Sequence, residues 1–353
     1  MKKIYFLCLL FGGFLINLTA FGQCDQNVTL NSQEDVDNFA TDYGCTEIYG
    51  NLTINGDDIT DLSELSGIAS VEGNLVIGKD AIDNTANPAL INIDGLNSLA
   101  SIGGSLKILT NVSLTNIDGL SSLASIGEYI RIDDNDALTD INGLTSLISI
   151  EGPIWLLDND ALNNVDGLNN LTSIGAYLSI YNNDALNNVD GLNNLTSIGE
   201  YLKIEDNDAL TSLDGLNNLA SLGEYLKIKS NDALINIGGF NNLASIEEYL
   251  TIEESEALTN IDGFNSLTSI GMNLVIHINA TLTNIDGLSN LTSIEGILGL
   301  NYNDALVNLD GFNNLISIGE GLSIGNNDAL VNLDGFNNLA SIEEYLIIEE
   351  NEA

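Results

Sequence analysis

The sequence predicts an all-β chain, a parallel β-solenoid of 24-residue repeats rich in leucine, and three observations carry that prediction. Gly95, Gly119, Gly143, Gly167, Gly191, Gly215, Gly239, Gly263, Gly287, Gly311 and Gly335 recur every 24 residues without an insertion. So regular a period requires each unit to fill the same cross-section and stack on its neighbour. The columns of Leu168, Leu171, Ile174, Leu178, Ile180, Leu186 and Val189 stay almost entirely aliphatic, which marks them as the core. No stretch sustains a helical period, whereas Tyr177-Leu178-Ser179-Ile180 and its copies alternate as half-buried strands do.

Composition excludes several functions. Of 353 residues, 51 are Asp or Glu and 8 are Lys or Arg, a formal charge of -43 that repels phosphate and argues against nucleic-acid binding. Hydrophobic residues make up 44%, too many for a disordered acidic tail and enough for a large core.

Residues 1–23 read as a signal peptide of bacterial appearance. Lys2 and Lys3 precede an apolar run from Ile4 to Leu18, and Ala20-Phe21-Gly22 supplies small residues for cleavage. The run is shorter than the roughly 20 residues that span a bilayer, so no transmembrane segment is expected and the mature chain is placed outside the cell or on its surface, the bacterial outer surface. A lipid anchor on Cys24 is the rival reading, against which Gln23 stands where a small residue is wanted. With Cys8 removed, Cys24 and Cys45 form an even pair in an exported chain, which predicts one disulfide worth about 3 kcal/mol.

Residues 24–54 read as an N-terminal cap, in which Ser32-Gln33-Glu34-Asp35 predicts a short helix turning Val36 and Phe39 inward. Residues 55–353 read as the repeat solenoid, with an insertion from Gly78 to Ala89 and an incomplete last repeat. The chain stops at Asn351-Glu352-Ala353, where earlier units continue with a core aliphatic residue, so association is expected at an uncapped C-terminal end, or further chain beyond it. Ala161 to Gly175 and Ala185 to Gly199 are identical, the mark of a duplication.

Asn111, Asn135, Asn159, Asn183, Asn207, Asn231, Asn279, Asn303, Asn327 and Asn351 fall in one column, broken by Ser255. An inward asparagine bonds its own turn and the next, so a structural ladder is predicted. The serine column from Ser101 to Ser341 is structural for a parallel reason, since a nucleophile is not copied into every unit.

The segment Cys45-Thr-Glu-Ile-Tyr-Gly-Asn-Leu-Thr-Ile54, preceded by Cys24, resembles the opening of receptor L domains, the β-solenoid lobes of insulin and epidermal growth factor receptors. Leu171-Thr-Ser-Ile174, then Leu178-Ser-Ile180 and Asn183-Asp-Ala-Leu186, look like the same family and its leucine-rich-repeat relatives. The chain departs from one receptor lobe in its length and uniformity, and in lacking cysteine-rich modules, a membrane span and a kinase, so receptor signalling does not carry over. The resemblance implies a right-handed parallel solenoid with a disulfide-linked N-terminal cap, used for extracellular recognition.

The candidate surface is the exposed side of one strand per unit. Lys107, Arg131, Lys203 and Lys227 share one column, Lys229 lies two places on, and Trp155, His277, Tyr129, Tyr177, Tyr181, Tyr201, Tyr225, Tyr249 and Tyr345 fall on the same face. Variation concentrated on one rigid sheet, with aromatic and cationic residues interleaved, suits recognition of an extracellular protein or glycan. Arg131, Trp155, Tyr177, Lys203, Tyr225, Lys227 and Lys229 are the candidate ligand face. Tyrosines stacked on neighbouring strands also stabilise a sheet with no ligand, so a structural spacer or surface-layer element is the alternative.

Two acidic columns, Asp94 to Asp334 before the glycines and Asp136 to Asp328 after the asparagines, bring like charges about 4.8 Å apart. Hydrogen bonds from turn amides to each aspartate are expected to relieve the repulsion. No cofactor is expected; calcium bridging between turns is the alternative to those hydrogen bonds, although no EF-hand loop or calcium nonapeptide occurs. One His, no His-Glu-x-x-His, no Gly-x-Ser-x-Gly and no phosphate loop predict a non-enzyme.

Overall fold

The computed structural model describes residues 22–79 and 86–351. The signal peptide reading falls outside the described residues except for Gly22 and Gln23, which with Cys24 form a strand.

Alternating Leu-x-Ile-x segments become strands, and their period stacks them. A parallel sheet of 14 strands runs from Val28–Leu30 to Tyr345–Glu349. Equivalent residues pair directly, Ile130 with Leu106 and Ile154, Ile132 with Ile108 and Leu156. A second side of each turn is a two-residue strand such as Ser173–Ile174, gathered into parallel sheets of five, four and five strands. The third side carries a 3-10 turn on Asp-Gly-Leu or Asp-Gly-Phe, as at Asp166–Leu168. Inside lies one continuous apolar column from Cys24 to Leu330, in which Leu168, Leu171, Leu178, Ile180, Leu186 and Val189 are fully buried.

The recurrent glycine has a steric cause. A Cβ on Gly167 would lie 1.8 Å from the Ile141 carbonyl oxygen, and one on Gly191 2.0 Å from that of Val165. Adjacent turns touch backbone to backbone there, and no side chain fits between them.

The asparagines form the expected ladder. Asn135 Nδ2 lies 3.0 Å from the Ile108 and Asp133 carbonyl oxygens and 3.1 Å from Asn159 Oδ1, which also accepts from the Asn135 amide. Asn159, Asn183 and Asn207 repeat the pattern, as do Asn303 and Asn327. Asn231 donates to Ile204 and Lys229 but meets Ser255 above it, so its amide lacks the side-chain acceptor that serves Asn207. The ladder also starts one step earlier than expected. Asn87 donates to Asn111 Oδ1 at 2.9 Å and to the Ile54 carbonyl at 3.0 Å, and accepts from the Gly56 amide. The insertion is thus over by Ala86, whose amide already bonds Thr110.

One expectation is corrected. The aspartates before the recurrent glycines do not accept the turn amides; the residue two places earlier does. Asn116 Oδ1 accepts from the Asp118 amide, Asn164 Oδ1 from that of Asp166, and Ser212 Oγ from that of Asp214. The shorter Asx link closes the turn and leaves the aspartate side chains exposed.

At the N-terminal end, Cys24 and Cys45 are joined in a disulfide with Cα atoms 5.8 Å apart. Between them a helix over Gln33–Asp37 is capped by Ser32, which accepts from the Asp35 amide, and a second turn covers Phe39–Asp42. Val36 and Phe39 are buried, and both short helices pack on the turn Ser63–Leu65. At the other end the last strand, Tyr345–Glu349, is exposed along its length, and Leu346 and Ile348 stand open where their counterparts Leu322 and Ile324 are covered. Among the described residues no helix is long and apolar enough to cross a membrane.

Candidate functional site

In the strands from Leu106–Leu109 to Leu298–Asn301 the first and third residues point into the core and the second and fourth point out. Register places Lys107, Arg131, Trp155, Ser179, Lys203, Lys227, Thr251, Val275, Gly299 and Ser323 side by side in one outward column. The other outward column runs Asp133, Leu157, Tyr181, Glu205, Lys229, Glu253, His277 and Asn301.

From Tyr129 to Tyr249 the residue before the strand, with one exception, builds a file of rings. Tyr177, Tyr201, Tyr225 and Tyr249 stack face to face at centroid separations of 4.2, 4.6 and 4.3 Å. Where Pro153 interrupts the tyrosine column, Trp155 closes the file, edge-on to Tyr129 at 5.2 Å and to Tyr177 at 5.1 Å. Aromatic pairs of this geometry add about 0.5–1.5 kcal/mol each beyond burial. Burial pushes the phenol of Tyr249 up to about 12 and raises those of Tyr201 and Tyr225, so these three stay protonated.

The candidate cations separate into two groups. Arg131 Nε lies 2.9 Å from Asp133 Oδ2, Lys227 Nζ 2.6 Å from Glu205, and Lys229 Nζ 3.1 Å from Glu254. The hydrogen bond between Lys229 and Glu254 raises the lysine pKa and lowers that of the carboxylate. Lys203 Nζ instead sits 5.2 and 5.7 Å from the Tyr201 and Tyr225 centroids, and Lys107 Nζ 5.3 Å from that of Tyr129. Among the described residues neither makes an ion pair with a carboxylate.

The fold thus brings Trp155, Tyr177, Lys203 and Tyr225 into one file, sets Arg131 and Lys227 beside it, and leaves Lys229 one column away. Sequence reasoning listed Tyr201 but did not single it out, although it joins Tyr177 to Tyr225; its place in the 24-residue column was the available signal. His277 and Tyr181 lie off the file, His277 packing edge-on to Tyr302 at 5.3 Å.

The acidic columns repel as expected. Asp134, Asp184 and Asp286 have raised pKa values, from partial burial first and then from acidic neighbours such as Asp160 and Asp208 beside Asp184. Among the described residues no group of three or more His, Cys, Asp or Glu side chains converges as a metal ion requires, so the calcium expectation finds no ligand set there.

No curated protein matches the chain. A solved structure described as "Crystal structure of TLR13-ssRNA13 complex" is 14% identical, with a TM-score of 0.26, covering 92% of this chain and 77% of its own. The model of the receptor L domain family matches residues 44–138, and over that stretch the resemblance first read from Cys45 to Ile54 holds.

Proposed function

We propose that the chain is a non-catalytic recognition module of the cell surface or extracellular space, which binds its partner through the strand face bearing Arg131, Trp155, Tyr177, Lys203, Tyr225, Lys227 and Lys229. One observation carries the reading. Inward residues of the long sheet repeat as Leu and Ile turn after turn, while the outward column passes from Lys107 through Arg131, Trp155 and Lys203 to Thr251 and Gly299 without a rule. Folding constrains the first set and not the second. The Cys24–Cys45 disulfide supports an oxidising location, and the receptor L domain match supports ligand binding as the general role.

The test is a screen of extracellular protein and glycan arrays with the mature chain and its Trp155→Ala and Lys227→Glu variants. Binding that both substitutions reduce supports the reading. A structural spacer is the second reading, favoured by the tyrosine rings spending their faces on one another and by three cations paired within the chain. An array with no ligand, or binding indifferent to both substitutions, selects the spacer.

A further inference from the structure

We infer that the tyrosine stack is an oxidative cross-linking site, at which neighbouring rings of Tyr177, Tyr201, Tyr225 and Tyr249 couple into dityrosine under a haem peroxidase and hydrogen peroxide. The product would staple one turn of the solenoid to the next, whether or not a ligand binds the strand face.

Coupling of two phenoxyl radicals is limited by how often they meet, and here the fold has already brought the rings together. Three successive pairs lie face to face at 4.2, 4.6 and 4.3 Å, with interplanar angles of 11°, 7° and 12°. Each tyrosine precedes its strand by one residue and the strands pair in register, so the four rings sit at the same point of four successive turns. Ring carbons of one are thus in van der Waals contact with those of the next. Holding the partners so converts a bimolecular encounter into a unimolecular step. All four rings are partly exposed, which leaves them open to an oxidant.

One hydrogen peroxide, acting through the peroxidase, takes one electron and one proton from each of two neighbouring phenols and leaves as two waters. The two radicals then pair in a single carbon–carbon bond between positions ortho to the hydroxyls, and each ring regains aromaticity by returning that ortho hydrogen to its oxygen. Burial first, with Glu200, Glu224 and Glu248 among the later causes, keeps Tyr201, Tyr225 and Tyr249 protonated, so each loses its proton together with its electron. Little else competes. Among the described residues both cysteines are held in the Cys24–Cys45 disulfide, so no thiol there reduces a tyrosyl radical, and Trp155 touches the stack only at its Tyr177 end. That disulfide braces the first turns alone. A solenoid opens by segments, and links one repeat apart would brace the middle ones.

The test oxidises the mature chain with a plant haem peroxidase and hydrogen peroxide, then reads dityrosine fluorescence, gel mobility and the masses of cross-linked peptides. Links are expected between neighbours in the stack, within monomeric chains, at a yield per chain unchanged by about tenfold dilution. Tyr201→Phe and Tyr225→Phe together keep every ring in the stack but leave no two neighbouring phenols, and should abolish the product; either alone leaves one pair and should retain part of it. The cross-linked chain should unfold at a higher urea midpoint. Exposure alone would choose Tyr49, Tyr181 and Tyr302, at 50%, 38% and 49%, so links through these with the stack unlinked would overturn the inference. So would no dityrosine, links only between chains, an undiminished yield in the double variant, or an unchanged midpoint.

Discussion

Replacing Ser255 by asparagine should stabilise the stack by about 2 kcal/mol, through recovery of a buried amide left without its acceptor at ~1–3 kcal/mol and one neutral side-chain bond at ~1 kcal/mol, less the ordering of a longer side chain. Asn207 shows what is missing, because its amide and Nδ2 both reach Asn231 Oδ1, at 3.2 Å each, whereas Asn231 has no such oxygen above it. Ser255 is fully buried and spends its hydroxyl on the Glu253 carbonyl at 3.3 Å. The converse change, Asn207→Ser, should cost a similar amount. Because solenoids unfold by segments, the decisive assay is hydrogen exchange at the Asn231 amide, supported by urea midpoints. Slower exchange and a higher midpoint are expected in Ser255→Asn. Unchanged protection at Asn231, or a lower midpoint, would show that the ladder aligns the turns without holding them together.

Three other outcomes follow from the same geometry. Gly191→Ala should unfold its neighbourhood, since its Cβ would press on the Val165 carbonyl at 2.0 Å, whereas Gly299→Ala, with nothing closer than 3.7 Å, should gain about 0.5–1 kcal/mol in thermal melts. Ile278 holds φ +54° in a column of left-handed residues and is 43% exposed, so Ile278→Asn should raise stability by about 1 kcal/mol in urea titrations, the strain a β-branched residue carries there. Lowering the pH from neutral should first stabilise the fold: the raised carboxyls of Asp134, Asp184, Asp286 and Glu224 bind protons more tightly folded than unfolded, in a window just above the ordinary 3.8 and 4.5. Below it, protonation of Glu254, whose pKa is lowered, removes the stabilisation from Lys229, and calorimetry that finds no rise on acidification would refute the assignment.

The solenoid was legible because its cause is repetition. One residue too many shifts every later side chain off its partner, so the 24-residue spacing alone fixed the core columns, the asparagine ladder and the outward face. Asn87 escaped notice because the insertion precedes it, although it lies one period before Asn111. The division of the cations was not legible, since ring or carboxylate partners depend on which neighbour reaches across a turn: Glu205 lies on the strand before Lys227, Glu254 past the strand after Lys229. The left-handed column was invisible for a different reason. It holds Thr110, Asp134, Asn182, Ser230, Ile278 and Tyr302 with φ between 50° and 60°, so stacking imposes the conformation whatever the side chain prefers.

The turns before Ser255 depart from the repeat. Gly238 replaces the usual aspartate there and Gly238-Gly239-Phe240 makes no 3-10 turn, while the short-strand series breaks between Ser221–Leu222 and Ser245–Ile246, as it also does between Ser125–Ile126 and Ser149–Ile150. The Lys229–Glu254 pair and the Ser230–Glu254 hydrogen bond at 3.2 Å link neighbouring turns from outside, which ties Lys229 to stability more than to the ring file.

The duplicated units separate what folding requires from what a surface is free to change. Ala161 to Gly175 and Ala185 to Gly199 are identical, yet the strands that follow them differ at Ser179 against Lys203, Tyr181 against Glu205 and Asn182 against Asp206. The inward residues between these positions, Leu178 and Leu202, Ile180 and Ile204, Asn183 and Asn207, did not change. Outward strand positions cost the fold little when they vary, because each side chain meets only its neighbours above and below. Lys203, held over the rings of Tyr201 and Tyr225, stands where the sister unit has a serine, so a unit can acquire a charged side chain without altering the stack that presents it.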